Sequence, residues 1–210
     1  YEMTQGQWLR LTGSNPAFWQ HGKLRSVLLH PIEFISWSQS HDCLDRAGLA
    51  LPTEAQWEFA ARGGTSTPWY TGSDPSSLLE ARAENLYDEE AFAAGVASSP
   101  GKEPLPSDSH AGTAPVGRFS ANPFGLHDVL GNVFEYCFDQ YTHSFYRDSP
   151  WLDPVCPWVR GGSKDELRVL RGGSWASLHT DTARASARDD AGLHGMNSGR
   201  GIRPARALDP

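Results

Sequence analysis

Arg168-Val169-Leu170-Arg171-Gly172-Gly173-Ser174-Trp175 reads as a short buried strand that runs into a paired-glycine turn and a tryptophan. Two glycines permit a turn that a Cβ would obstruct, and the indole adds a large apolar anchor with one N–H to satisfy. No cysteine follows between Ala176 and Pro210. Further short strands are predicted around Val116–Phe119 and Asn132–Cys137.

Three helix starts share one signature. Thr4-x-x-Gln7, Ser36-x-x-Gln39 and Thr53-x-x-Gln56 each match a capping box, in which hydroxyl and amide satisfy otherwise orphaned N–H groups. The helices are expected to end by Gly13, at Gly48 (37–47) and at Gly63-Gly64 (54–62). From Thr65 to Pro115 the chain is irregular and proline-rich, with helix expected only over Ser76–Glu84. Loops this long are uncommon unless functional or tied down. The pattern is α+β, loop-rich, with a few short helices, in a single domain over 1–210.

Composition bounds the function. The 210 residues are 39% hydrophobic and 20% charged, so the chain is globular and long enough for a sizeable core. It contains no transmembrane segment. The net charge of −7 without a basic cluster argues against nucleic acid as a partner. Three cysteines (Cys43, Cys137 and Cys156) without a C-x-x-C favour no disulfide framework and leave the compartment open, cytoplasmic or exported. Cys43 and Cys137 read as small buried hydrophobes. No histidine pair has zinc spacing and no Gly-x-Ser-x-Gly occurs. Gly161-Gly162-Ser163 and Gly172-Gly173-Ser174 lack the lysine of a phosphate loop.

Several blocks occur in a telling order: Tyr1–Trp8, Ile35-Ser36-Trp37, Leu51-Pro52-Thr53-Glu54-Ala55-Gln56-Trp57-Glu58-Phe59-Ala60-Ala61-Arg62-Gly63-Gly64, Thr113–Gly117, Asn122-Pro123-Phe124-Gly125-Leu126-His127-Asp128-Val129-Leu130-Gly131-Asn132-Val133-Phe134-Glu135-Tyr136, Arg168–Trp175 and Gly201-Ile202-Arg203. This set resembles the formylglycine-generating enzyme (sulfatase-modifying factor) family over nearly the whole chain. The resemblance implies a C-type-lectin-like fold with small antiparallel sheets, a bacterial source, and an N-terminal strand region that is missing here.

Asp128 and Glu135 flank Gly131-Asn132, and two carboxylates around a glycine turn can converge on a hard cation. The resemblance implies calcium held by the Asp128 and Glu135 side chains and the carbonyls of Gly131 and Val133. The alternative is that both acids cap turns and pair with arginines. A second implied calcium set is Asn85, Leu86, Asp108 and His110, against a solvated acidic loop as the alternative.

The family's oxidase holds Cu(I) with two cysteines. Aligning on Gly172-Gly173-Ser174-Trp175 places Ser177 and Thr182 there, and hydroxyls are too hard for Cu(I), so copper is not expected. Ala61, Ala187 and Pro204 stand where the family has structural cysteines. What remains is a C-terminal segment of mixed small and polar residues, in which Arg184 and Arg188 are expected to share a side if helical. On a C-type-lectin-like fold it faces ligand, with Ser177, Leu178, His179, Asp181, Asp189, Asp190, His194 and Asn197 as contacts. The expectation is a noncatalytic binding module for an unidentified protein or small-molecule ligand, of the kind found in retroelement-diversified variable proteins. The alternatives are a formylglycine-generating-type oxidoreductase or an accessory domain of a larger bacterial enzyme or kinase.

Overall fold

The computed structural model describes residues 1–20, 27–95, 104–157 and 166–206. Gly161-Gly162-Ser163 and part of the proline-rich stretch lie outside the described residues. All three capping boxes are present. Thr4 caps α1 (Gln5–Thr12), Ser36 caps α2 (Trp37–Arg46) and Thr53 caps α3 (Glu54–Arg62), each hydroxyl accepting the N–H of the glutamine three residues on. Short helices α4 (Ser76–Ala81), α5 (Glu89–Ala93) and α6 (Phe145–Asp148) follow; α5 lies in the stretch where helix was expected only over Ser76–Glu84, and Asp88 caps it by accepting the Ala91 N–H at 2.9 Å. α4 stops before Glu84 because Arg82 turns left-handed at φ 49°.

The sheet consists of β1 (Phe134–Gln140), β2 (Leu167–Arg171), β3 (Asp189–Gly192) and β4 (Arg200–Gly201), in the order β3-β2-β1-β4. It is mixed, because β4 runs parallel to β1 while the other pairs are antiparallel. The expected strand at Val116–Phe119 is turn and bend instead. There the Gly117 and Phe119 N–H groups bond to the Asp128 carboxylate rather than to a strand.

Alternation along the strands sorts the core into two layers. Tyr136 and Leu170 join Ile32, Ile35, Trp37, Leu44 and Ile202 in one cluster, whereas their neighbours Cys137 and Val169 join Trp57, Leu86, Val129 and Leu130 in the other. The Trp37 indole N–H reaches across to the Cys137 carbonyl at 2.7 Å. All three cysteines are free, with Cys43 and Cys137 buried.

Glu33 is an anomaly in this core. It is fully buried, its Oε1 accepts the Trp19 N–H at 2.8 Å, and its Oε2 has no partner among the described residues. Burial pushes its carboxyl up to about 7. A raised carboxylate pKa means the folded state is favoured below the unfolded value of about 4.5 and weakens as pH rises through 7. Glu33→Gln is therefore expected to flatten that part of the stability profile. It should gain up to about 3 kcal/mol over the native protein at about pH 8, and nothing at about pH 4. Urea unfolding at the two pH values measures this, and equal profiles would show that Glu33 is ionised without penalty.

Candidate functional site

The loop between the Asn122–Leu126 turn and β1 carries the first candidate set. Asp128 is buried at φ 58°, and its carboxylate accepts the N–H of Gly117 at 2.5 Å and of Phe119 at 3.4 Å. Glu135, the second residue of β1, receives Arg203 through Nε at 2.9 Å and Nη2 at 2.7 Å, plus the Trp57 indole N–H at 2.7 Å. Glu2, fully buried, accepts from the Asn132 amide at 2.6 Å and the Val133 N–H at 3.2 Å. Burial first, then Asp128 and Glu135, raise the Glu2 carboxyl well above its ordinary value, and burial also raises Asp128. Of the three buried carboxylates only Glu135 pairs with Arg203, and burial favours the neutral form of the other two. The turn-capping and arginine-pairing contacts anticipated for Asp128 and Glu135 are both present.

The second set differs in its unpartnered oxygens. The Asn85 Nδ2 donates to the Gly112 carbonyl at 3.0 Å and to Asn132 Oδ1 at 3.1 Å, while the buried Asn85 Oδ1 has no partner among the described residues. Asp108 Oδ1 accepts the His110 N–H at 2.7 Å, and its buried Oδ2 accepts no conventional hydrogen bond among the described residues, with the Asp88 carboxyl close by. Burial, then Asp88, pushes the Asp108 carboxyl up to about 8, and burial pushes the nearby Glu84 up to about 7. Orphaned oxygens of this kind fit an oxygen-seeking cation. Among the described residues no three His, Cys, Asp or Glu side chains converge as metal ligands, so an oxygen shell at either set must draw on main-chain carbonyls. The sets are joined at Asn132, whose Oδ1 accepts from both Asn85 and Ala114.

The C-terminal segment divides the predicted ligand contacts. Asp181 and Asp189 line one hollow of about 510 Å3, together with Thr182, Arg184, Tyr141 and His143. Leu178, His179, His194 and Asn197 are exposed, and Asp190 is half-buried in β3. His194 Nδ1 lies 3.1 Å from the Ser38 hydroxyl, and Asn197 Oδ1 accepts the Gly199 N–H at 2.7 Å. Ser177 departs from expectation. It is buried, and its hydroxyl accepts the Ser174 N–H at 2.9 Å, because it closes the turn after the glycine pair. The block 184–188 is not helical; a 3-10 turn, Thr180–Ala183, precedes it.

Without that helix, Arg184 and Arg188 part company. Arg184 meets Asp181 at 3.5 Å on the surface, whereas Arg188 is clamped by Glu54 at 2.6 and 2.8 Å and lies 4.8 Å from the Tyr141 ring centre. Arg171, fully buried, pairs with Glu54 at 3.2 Å and with Glu58, and donates to the Ala187 carbonyl at 2.8 Å. This network holds the wall of the hollow, and sequence reasoning missed it. The available signal was Glu54 and Glu58 one helical turn apart beside Trp57, with Arg62 bonding Glu58 on the same helix, but Arg171 and Arg188 stand more than a hundred residues away in the chain.

The family description "Sulfatase-modifying factor enzyme 1-like domain" matches residues 1–208. The formylglycine-generating enzyme of Streptomyces coelicolor is 31% identical over 185 residues, covering 86% of this chain and 54% of that protein. Serine/threonine-protein kinase pkn1 of Chlamydia pneumoniae is 31% identical over 180 residues, covering 86% of this chain but 24% of the kinase. The chain thus spans about half of that enzyme's length and about a quarter of the kinase's. Among solved structures, Treponema denticola variable protein 1 superposes with a TM-score of 0.77 at 23% identity, covering 98% of this chain and 82% of the other. PvdO from Pseudomonas aeruginosa gives 0.75 at 23%, covering 99% and 78%. The fold is accordingly the one shared by formylglycine-generating enzymes and variable proteins, and this chain belongs to the sulfatase-modifying factor enzyme 1-like family.

Proposed function

We propose that this domain is a noncatalytic ligand-binding module that takes its ligand at the hollow bounded by Tyr141, Asp181, Thr182 and Asp189. The observation that carries this reading is the chemistry of that hollow: its lining residues are aromatic, hydroxylic and charged, with no thiol. Thr182, which the resemblance aligns with a copper-binding cysteine, lines it, and its hydroxyl donates to the His179 carbonyl at 2.7 Å. Arg188, fixed by Glu54 and set beside Tyr141, offers a preorganised planar surface for contact. Exposed residues on loops carried by a rigid sheet suit recognition, as in retroelement-diversified display. The likeness to a variable protein and to a segment of a kinase supports a recognition unit, alone or as an accessory domain of a larger protein.

The test has two arms. Peptidyl-cysteine oxidation with added copper is expected to give no turnover, and a significant rate would restore the oxidase reading. A ligand recovered by screening is expected to lose at least about tenfold in affinity on Thr182→Trp, which fills the hollow. Undiminished binding would place the ligand elsewhere. An adenine-rich repeat matching residues 168–203 beside a reverse transcriptase gene would support diversification.

Calcium is proposed as the stabilising cofactor. Asn85, Asp108 and the carbonyls of Leu86 and His110 would hold one ion. Asp128, Glu135 and the carbonyls of Gly131 and Val133 would hold another in competition with Arg203. The unpartnered oxygens favour the first of these. An ion that binds only the folded state at a hundred times its Kd adds about 2.7 kcal/mol. Chelation is expected to lower the melting temperature accordingly, and Asp108→Asn to remove most of the response. A transition indifferent to chelator would dispose of both ions.

A further inference from the structure

The segment after β1 turns apolar side chains outward. Trp151 is 91% exposed and Leu152 69%, and Tyr146 and Val155, close by in the chain, are exposed as well. The backbone that carries them is tied down. Asp153, left-handed at φ 42°, accepts the Gln56 amide at 3.1 and 3.3 Å. The Cys156 N–H donates to the buried Asp139 carboxylate at 2.7 Å, and the Cys156 carbonyl accepts the Gln140 N–H at 3.3 Å. Pro150, Pro154 and Pro157 restrict the chain around those ties. Arg188 holds the Thr142 carbonyl at 3.1 Å and lies 5.3 Å from the Tyr146 ring centre. The exposed side chains thus stand on an anchored loop, so little ordering entropy is left to lose on association. Together they offer roughly 500 Å2 of apolar surface, the size at which a patch marks an interaction site.

We propose that this loop is the interface of a two-fold symmetric dimer of the chain, with Trp151 as its apolar anchor and Arg147 of each copy set against Asp148 of the other. Charge narrows the occupant to a second copy. Arg147 and Asp148 end α6 just before Trp151; both are exposed, and neither makes a side-chain hydrogen bond or ion pair among the described residues. One free cation and one free anion beside an aromatic anchor complement themselves across a two-fold axis, which brings the same patch of both copies together. The net charge of −7 turns the chain away from an anionic lipid surface. Two copies bury about 1,000 Å2 in all, the lower limit of a specific interface, which suits a dimer that forms reversibly. Arg188 also lies 4.8 Å from the ring centre of Tyr141, which lines the ligand hollow, so the interface borders that hollow and each dimer carries two of them. The dimer itself does not depend on what the hollows bind.

The experiment is sedimentation equilibrium of the whole chain from about 1 μM to about 1 mM. A monomer–dimer equilibrium with a Kd of about 10–100 μM is expected. Trp151→Ala is expected to weaken it at least about tenfold. The melting temperature at about 1 μM, where monomer prevails, is expected to stay unchanged in that variant, because the indole faces solvent in the single copy. Arg147→Asp and Asp148→Arg are each expected to weaken association about fivefold. The double exchange of Arg147→Asp with Asp148→Arg is expected to restore it, since a two-fold contact swaps both members of each pair at once. A single monomeric species up to about 1 mM overturns the proposal, and so does open-ended association beyond the dimer. Dimerisation undiminished in Trp151→Ala, or a double exchange as weak as the single ones, overturns it equally.

Discussion

Gly131→Ala is expected to cost about 4 kcal/mol or more and to leave little folded protein at 37 °C. The glycine sits at φ 94°, which an L side chain adopts only with strain. A steric collision adds more than that strain does. A Cβ at this position would lie 2.1 Å from the Asn85 carbonyl oxygen and 2.7 Å from its carbon. Backbone is on both sides of that contact: the Gly131 N–H donates to the Gly172 carbonyl at 2.7 Å, and the Asn132 N–H to the Asn85 carbonyl at 2.8 Å. Neither strand of chain can give way without breaking the joint between the two candidate calcium sets. Gly125→Ala is the control, because Gly125 shares the left-handed conformation at φ 80° but has nothing within 4 Å of the added Cβ. It is expected to cost about 1 kcal/mol. Denaturant unfolding of the two variants separates conformational strain from close approach, and comparable losses would overturn the collision argument.

Arg171→Met is expected to destabilise by about 3 kcal/mol, because the carbonyls of Ala185 and Ala187 lose their buried donor, while Glu54 keeps Arg188 and Glu58 keeps Arg62. Arg171 is fully buried beside Trp57, 5.2 Å from the ring centre, with Glu54 and Glu58 as its ion partners. Its N–H groups also fix the carbonyls of Ala185 and Ala187, so the same change loosens the backbone that frames the ligand hollow. The double variant Arg171→Met with Glu58→Gln should cost less than the sum of the single changes by at least about 1 kcal/mol, since the two side chains bond each other directly. Additive losses in urea unfolding would show that the pair is not coupled. Binding of any ligand that uses the hollow is expected to weaken in parallel.

These two residues mark what was and was not legible beforehand. The three capping boxes could be read because every atom they need lies within four residues. The Leu51–Gly64, Asn122–Tyr136 and Arg168–Trp175 blocks carried the family and hence the fold. Cys43 and Cys137 were readable as buried from type and pattern alone. The sheet was less so. Gly201 pairs with Glu135 in parallel, a register that no local period encodes, and Val116–Phe119 gave up its strand to serve the Asp128 carboxylate.

The site was legible by residue type and not by partner. Asp128, Glu135, Asn85 and Asp108 could all be named, but not that Arg203 and Trp57 engage Glu135 while Asn85 Oδ1 and Asp108 Oδ2 stay unpartnered. Ser177 had the composition of a contact residue, yet the turn after the glycine pair draws its hydroxyl inward. The sequence by itself determined the three capped helices, the family and the absence of cysteine beyond Trp175, because these are local or compositional. Only the tertiary structure decided which charges meet, since Glu54 and Arg188 or Glu135 and Arg203 become neighbours through chain reversal. Burial then sets how strongly each pair acts, by removing the water that would screen it.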